Sequence, residues 1–534
     1  MPMKFVDNFL GRFGYVPAVE TVKAPEIQGP PVTKKNKPYL VRSARSIKSA
    51  RTDRLTTEMP TTPQAANEFV TRYQKICVAR ARWIPWESGY ATKFKKMCVK
   101  NIVGHRGIQL QAQARNKKGK LDTNANLALE AAWKRWGKRQ NCDRQRKHCF
   151  RNFENLAVIS MAENGEFMFE ITTGSDAGDM QVNLKVLDPV YCPADYNVTR
   201  WGDDGGYIWN GVEFDSEDRV VAYHFLTGMQ NRDAYISSFN GRPYIRKPAS
   251  MIIHGFEEIF VHQTRGFPWL TSGIFNLSNL GEINTAALSS IREQAYSAGF
   301  LKPEFGDDID PDKQIDVKPL EYNLLPPGVD VEKRDIKSPD QNYINFNKEN
   351  LHEAASGGDV SYNYMANDFE KVNYSSLRAA LLGERDGWMV RQEDFIENFH
   401  EQIYDRWLPW QLLLGNVITT SGQPLAPSML FKYEPHFWQA RRWPWVDPLK
   451  EVMAETKSLD YLLKSNSQSI REKGRDPETV YAEFLSDYEK WVEMGIPEEK
   501  INFILSGGKT SNDAIIGTEE DQVSGSGQQS DSAN

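Results

Sequence analysis

The stretch that most constrains this chain runs from His262 to Gly299, HQTRGFPWLTSGIFNLSNLGEINTAALSSIREQAYSAG. Ile274, Leu277, Leu280, Ile283, Leu288, Ile291 and Ala295 recur at steps of three to five, which winds one apolar stripe along a helix. Pro268 excludes an earlier helical turn, Thr271 or Ser272 can cap the first free amides, and Gly299 followed by Pro303 stops the far end. Roughly 25 residues at ~1.5 Å each make a helix of roughly 40 Å, a strut rather than a typical domain helix. Its other face carries Asn276, Asn279, Glu282, Asn284, Thr285, Ser289, Ser290, Arg292, Glu293 and Gln294, which suits neither lipid nor a dry core. Such a helix packs against neighbours of its own kind, in a bundle or around a ring of subunits. The alternative is an ordinary long helix in a large domain.

At 534 residues and 40% hydrophobic content, the chain should divide into several domains with real cores. No run of 18 apolar residues occurs, and MPMKFVDNFLGRFGYVP at the start lacks the apolar centre of a secretory signal, so neither spanning nor export is expected. The expected compartment is the cytoplasm. Cys77, Cys98, Cys142, Cys149 and Cys192 are odd in number and scattered, as reduced thiols are. Cys142, His148 and Cys149 lack the close CxxC spacing of a zinc knuckle, so no metal is expected there. The net charge of −6 argues against a surface that clamps nucleic acid all over. Residues 33–54 nevertheless form a basic arm, and residues 507–534 a polar tail; both read as disordered or ordered by a partner. The arm is either a solvated tail or a contact to nucleic acid or a neighbouring subunit.

In chain order, residues 64–104 read as helix with a break at Pro85, and Ile108, Leu110 and Ala112 alternate like an edge strand. Residues 124–157 return to helix. From Ala157 to Phe256 the runs FMFEIT, MQVNLKVLDP, GYIWNGVEFD, DRVVAYHFL and ASMIIHGF read as strands, giving an α+β domain before the strut. Residues 300–338 read as a small β insertion. Residues 340–355 resume helix; if this returns antiparallel to the strut, the insertion is the tip of a helical hairpin. A Gly357-Gly358 break and a polar loop to Asn373 precede a strong helix from Tyr374 through Trp407, with Asn373 as its cap. After the RRWPWVDP turn, two or three helices lie between Lys450 and Leu505.

Several stretches imitate chemistry. Asp308, Asp310 and Asp312 have the odd spacing of a calcium loop, but Lys313 stands where glycine is needed and Pro319 where a bidentate glutamate is needed. SGGKT, with Gly508, Lys509 and Thr510, resembles the end of a phosphate loop whose first glycine is here Phe503. HExxH and GxSxG are missing. No cofactor and no catalytic residue are assigned, and the expected role is structural.

The chain resembles the portal proteins of lambda-like tailed bacteriophages and prophages. The likeness is carried by Arg80–Arg82, NIVGHRGI ending at Ile108, Gly165-Glu166-Phe167, and MIIHGFEEIFVHQTRGFPWL with His254, Gln263, Arg265, Gly266 and Pro268. It continues through LLPPG at Gly328, NDFEKVNYSSLRAALL at Asn367–Leu382 and WPWVDPLKE at Trp443–Glu451, over roughly residues 65–490. SGGDVSY at Ser356–Tyr362 departs from the more apolar loop of that family.

The resemblance implies an α+β, portal-type multidomain subunit of a homo-oligomeric ring, usually of twelve, at the capsid vertex. Double-stranded DNA is packaged through that ring by the terminase large subunit and later ejected; capsid protein, scaffold and head-completion connectors attach to it, and no membrane is involved. Its place is the virion, with assembly in host cytoplasm. On this plan residues 1–60 are a flexible arm, 61–271 wing, 272–299 stem, 300–338 clip, 339–356 the stem's return helix, 357–373 tunnel loop, 374–440 wing helix and connection, 441–505 crown and 506–534 tail. Expected at the DNA channel are Glu282, Glu293 and Lys371; expected at the terminase dock are Asp307, Asp308, Asp310, Asp312 and Asp316. The competing readings are a packaging motor ATPase, which needs a complete phosphate loop, and a head-tail adaptor or scaffold.

Overall fold

The computed structural model describes residues 54, 59–203, 205–226, 244–296, 300–303, 329–332, 341–370, 372–443, 448–498 and 500–501. The basic arm apart from Arg54, the five tip aspartates, Lys371, the SGGKT segment and the tail lie outside them.

Helix α1 (Ala66–Glu87) buries Val70, Gln74, Val78, Ala81 and Ile84 at steps of three to four. It runs through Pro85 and breaks at Ser88, three residues later than expected. Proline removes one amide donor and crowds the carbonyl four residues back, and the helix ends only two residues beyond it. Extended Ser88 then caps α2 (Gly89–Ile102) by accepting from the Ala91 amide. Strand β1 (Gln109–Ala112) follows. The helix expected over 124–157 is broken into α3 (Thr123–Trp136) and α4 (Phe150–Asn164), with a single helical turn at Arg139–Cys142 between them. Between them the Asp143 carboxylate gathers the amides of Gln145, Lys147 and His148 at 2.7–2.8 Å, a local turn that competes with helix.

Next come β2 (Glu166–Thr173), β3 (Val182–Leu187), β4 (Val198–Trp201), β5 (Gly206–Trp209), β6 (Val212–Phe214), β7 (Val220–Leu226), β8 (Tyr244–Pro248) and β9 (Ile252–Phe256). They form two antiparallel sheets, β3-β2-β9 and β4-β5-β6-β7-β8. The edge strands β4 and β8 escaped the sequence reading because, largely exposed, they carry no apolar alternation. Strand β2 separates two environments. Phe167, Phe169 and Ile171 join the main core, while Met168 belongs to a second apolar cluster with Val212, Tyr223 and Phe225.

The strut is α5 (Ile274–Tyr296), preceded by a 3₁₀ turn at Thr271–Gly273. Strands β10 (Phe300–Pro303) and β11 (Val329–Glu332) pair antiparallel, and α6 (Gln341–Gly357) follows. The loop expected to be polar and irregular contains one helical turn, α7 (Tyr362–Ala366), because Met365 and neighbouring Val360 are drawn into the core. Helix α8 (Tyr374–Phe395) widens into a π turn at Ile396–Glu401 and continues as α9 (Gln402–Leu413). Strand β12 (His436–Gln439) pairs with β1. Three further helices are α10 (Pro448–Asp460), α11 (Asn466–Glu472) and α12 (Pro477–Glu493).

The main core is aromatic. Trp133 meets Trp407 edge-on at 5.0 Å and Trp438 at 5.4 Å, and Phe399 of the π turn meets Phe167 and Phe169 at 5.5 and 5.1 Å. The Trp136 indole N–H donates to the Val182 carbonyl at 2.8 Å, so this large side chain is both buried and satisfied.

Candidate functional site

The strut and α6 form an antiparallel hairpin. Near its base a Cβ on Gly273 would stand 3.0 Å from the Ala354 Cα, and the Ser272 hydroxyl donates to the Gly357 carbonyl at 3.2 Å. Farther out, the Tyr343 hydroxyl and the Asn347 amide donate to Asn284 Oδ1 at 2.6 and 3.3 Å. Ile274, Leu277 and Leu280 of α5, with Leu351, Ala354 and Ala355 of α6, are buried at the base.

Beyond the base the apolar stripe continues but its cover does not. Leu288 and Ile291 are 46% and 45% exposed, and Ile344 and Phe346 of α6 are 56% and 55% exposed; at the base, off the stripe, Phe275 is 71% exposed. On the polar face Thr285 and Ser289 turn their hydroxyls back onto the carbonyls of Gly281 and Thr285, which leaves a smooth surface of satisfied groups. Glu282 lies exposed on α5; Glu293 lies in its last turns, its side chain outside the described atoms.

The motif leading into the strut anchors it. Arg265 is 1% exposed. Its Nε and Nη2 grip Glu166 at 2.6–2.9 Å, Nη1 donates to the carbonyls of Cys192 and Asn210, and Nη2 also reaches Pro189. His254 Nε2 lies 3.0 Å from Glu166 Oε2, and Gln74 of α1 donates to Glu166 Oε1 at 3.0 Å. Gln263 accepts the amides of Ile259 and Phe260 and donates to the Arg265 carbonyl at 2.6 Å. One carboxylate therefore ties α1, β2, β9 and the strut's lead-in together. Burial alone would raise the Glu166 pKa, but the Arg265 charge and the hydrogen bonds from His254 and Arg265 outweigh it and hold the group at about 2. Burial pushes the His254 pKa down, against the pull of Glu166.

Gly165 and Gly266 permit the closest approach in this knot. A Cβ on Gly266 would fall 2.0 Å from the Gly165 carbonyl oxygen, and one on Gly165, at φ +81°, 2.1 Å from the Phe267 carbonyl carbon. The other glycine pair is Gly357-Gly358, at the end of α6. Neither has a positive φ. They are glycines for space, since a Cβ would meet the Ser272 hydroxyl at 2.2 Å and the Phe94 ring at 2.8 Å, and the left-handed positions are Asp359 and Asn367.

Asn373 caps α8 as the sequence indicated, its Oδ1 accepting from the Ser376 amide at 2.8 Å and the Ser376 hydroxyl at 2.7 Å. Asp368, in the loop before α8, accepts from Tyr362 at 2.9 Å and lies 3.6 Å from Lys348.

A profile described as phage portal protein, lambda family, matches residues 52–392. The "Probable portal protein" of Halomonas phage phiHAP-1 is 28% identical over 466 residues, covering 85% of this chain and 88% of that one. The "Portal protein" of Escherichia phage N15 is 21% identical over 397 residues, covering 66% and 72%. Among solved structures, the neck of an empty GTA particle aligns at TM-score 0.43 and 11% identity over 78% of this chain and 95% of that chain. A fold of mixed helix and sheet bearing a helical hairpin, and a profile match over well over half of the chain, define a phage portal protein. The chain belongs to the lambda family of these proteins.

Proposed function

We propose that this chain is one subunit of a closed homo-oligomeric ring, of twelve copies on the family's plan, at one vertex of the capsid. Its hairpin surrounds an axial channel through which double-stranded DNA is packaged and later ejected. The carrying observation is the hairpin itself, which leaves Phe275, Leu288, Ile291, Ile344 and Phe346 exposed in the single chain. Apolar side chains repeated along a rod of ~35 Å call for equivalent rods beside them. A ring repeats the same patch pair around an axis and leaves none uncovered.

On this reading α1–α4, the two sheets and the segment from α8 to β12 are wing, α5 and α6 stem, β10 and β11 the base of the clip, and α10–α12 crown. Glu282, Glu293 and the self-satisfied hydroxyls face the DNA, where like charge keeps phosphate sliding. Lys371 of the tunnel loop adds a thin belt of positive charge. Asp307, Asp308, Asp310, Asp312 and Asp316 at the tip steer the terminase, and capsid protein and connectors bind the outer surface.

Imaging the purified protein for a ring with an axial hole tests the reading. Phe275→Glu with Phe346→Glu should yield subunits with unchanged far-ultraviolet circular dichroism that no longer close into rings. Rings that persist in that variant would remove the hairpin from the subunit interface.

A further inference from the structure

Two stretches that the hairpin does not use, NIVGHRGI and the arginines that open RRWPWVDP, meet on the body of the molecule. The turn at Val103–Gly107, the chain leaving β12 at Gln439–Arg442, and the turn between α11 and α12 at Lys473–Asp476 enclose a cleft of about 580 Å³. Glycines set its walls. Gly104 and Gly474 have φ of +74° and +76°, and a Cβ on either would stand 3.1 Å from Cβ of Arg441 or 3.5 Å from Cβ of Arg442. No lining residue comes from α5 or α6.

The cleft is basic in a chain that is acidic as a whole. Arg106, Lys134, Arg441, Arg442, Lys473 and Arg475 face Glu130, Asp476 and Glu483. Arg475 is paired with Glu483, and Lys473 lies 3.5 Å from Glu455 outside the cleft. Arg441 donates to the Lys100 carbonyl and to Asn101, and is half-buried; burial, then repulsion from Arg385, lowers its pKa. Arg442 is half-buried too, and its Nε is a buried donor with no acceptor among the described residues. An unmet guanidinium donor among surplus cations is the signature of an anion left out.

We infer that this cleft holds backbone phosphates of double-stranded DNA, a second nucleic-acid contact separate from the channel face of the hairpin. The cations are spread over four chain segments, Lys134 of α3 being the fourth, and the cavity exceeds what one phosphate ion fills, which favours successive phosphates of a polymer. Guanidinium forks on a firm backbone bind them in pairs of hydrogen bonds. The inference shares with the proposed function only that DNA reaches this protein; it needs neither the ring number nor the hairpin as channel wall.

The test is fluorescence anisotropy of the assembled full-length protein with a labelled 30-base-pair duplex over a salt series. The cleft variant carries Arg106→Gln, Lys134→Gln and Lys473→Gln, all at exposed positions. The control carries Lys117→Gln, Lys118→Gln and Lys120→Gln, equally exposed, outside the cleft and of the same charge change. The cleft variant should bind about tenfold more weakly and lose about 3 from the slope of log K against log salt, with the control unchanged. A separate Arg442→Gln should weaken binding with an unchanged melting temperature; should the triple variant fold poorly, Arg106→Gln alone should take about 1 from the slope. Equal losses in both triple variants would reduce the effect to overall charge and overturn the inference. So would cleft-dependent binding of inorganic phosphate, or of poly-glutamate as an acidic protein mimic, with duplex affinity unaltered.

Discussion

Arg265 illustrates what a charged side chain costs and secures when it is placed in the interior. Its desolvation is offset by a bidentate carboxylate and three carbonyls, so removing it leaves the buried Glu166 charge without its counter-ion, held only by the donors of Gln74, His254 and the Gly266 amide. Arg265→Ala should cost about 3–5 kcal/mol of stability, read as a fall in denaturation midpoint. Gly266→Ala, a change of one methyl, should prevent accumulation of folded protein, because the carbonyl it would strike belongs to backbone that is itself fixed. Acid should act in two windows. His254 is held below its ordinary pKa, so the unfolded chain takes up its proton first, and stability declines as pH falls from about 6.5. Glu166 is held at about 2, so its contribution is whole above the unfolded value near 4.3 and drains away as pH falls toward 2. Melting temperatures across pH 3–8 would show both, and His254→Gln should shrink the upper window, leaving the part due to His224, which burial also holds below its ordinary pKa.

At the scale of elements, the caps and breaks follow local chemistry. Asn373→Ala should lower stability by about 1 kcal/mol through loss of the α8 cap, measurable by chemical denaturation. Much of this level was legible in sequence. The strut, its return helix and strands β2, β3, β5, β6, β7 and β9 follow from periodicity, and Asn373 from its place before a helical run. The misses have physical causes. Pro85 shortens its helix without stopping it at once, the end falling two residues later; β4 and β8 are edges without alternation; and the turn around Asp143 is made by one carboxylate that a helical pattern does not reveal. The Arg265 knot was visible as a motif but not as an ion pair, since Glu166 and His254 are far from it in sequence and meet it only through β2-β9 pairing. The exposed side of the hairpin was legible as a stripe; which part of it the single chain covers was not.

For the whole molecule, apolar exposure extends beyond the hairpin. Besides the hairpin, Tyr461, Leu462, Leu463, Phe484, Leu485 and Met494 stand open around α10–α12. Glu282→Lys should leave ring formation intact and slow packaging, with the defect eased at higher salt; packaging at the normal rate would take Glu282 off the channel wall. The π turn at Ile396–Glu401 bears on how such chains come to differ in length. Ile396, His400, Tyr404, Leu408 and Leu412 are all buried at steps of four, although 16 residues of ideal α-helix would carry the last about 160° away from the first. A wider turn takes up part of that drift, in the manner of one residue inserted into an older, regular helix. The surplus residue can then be given back. Deleting exposed Glu397 should leave α8 and α9 each facing its own neighbours and the protein folded, whereas deleting Arg406, in the middle of α9, should turn every later side chain of that helix away from the core and leave the product insoluble.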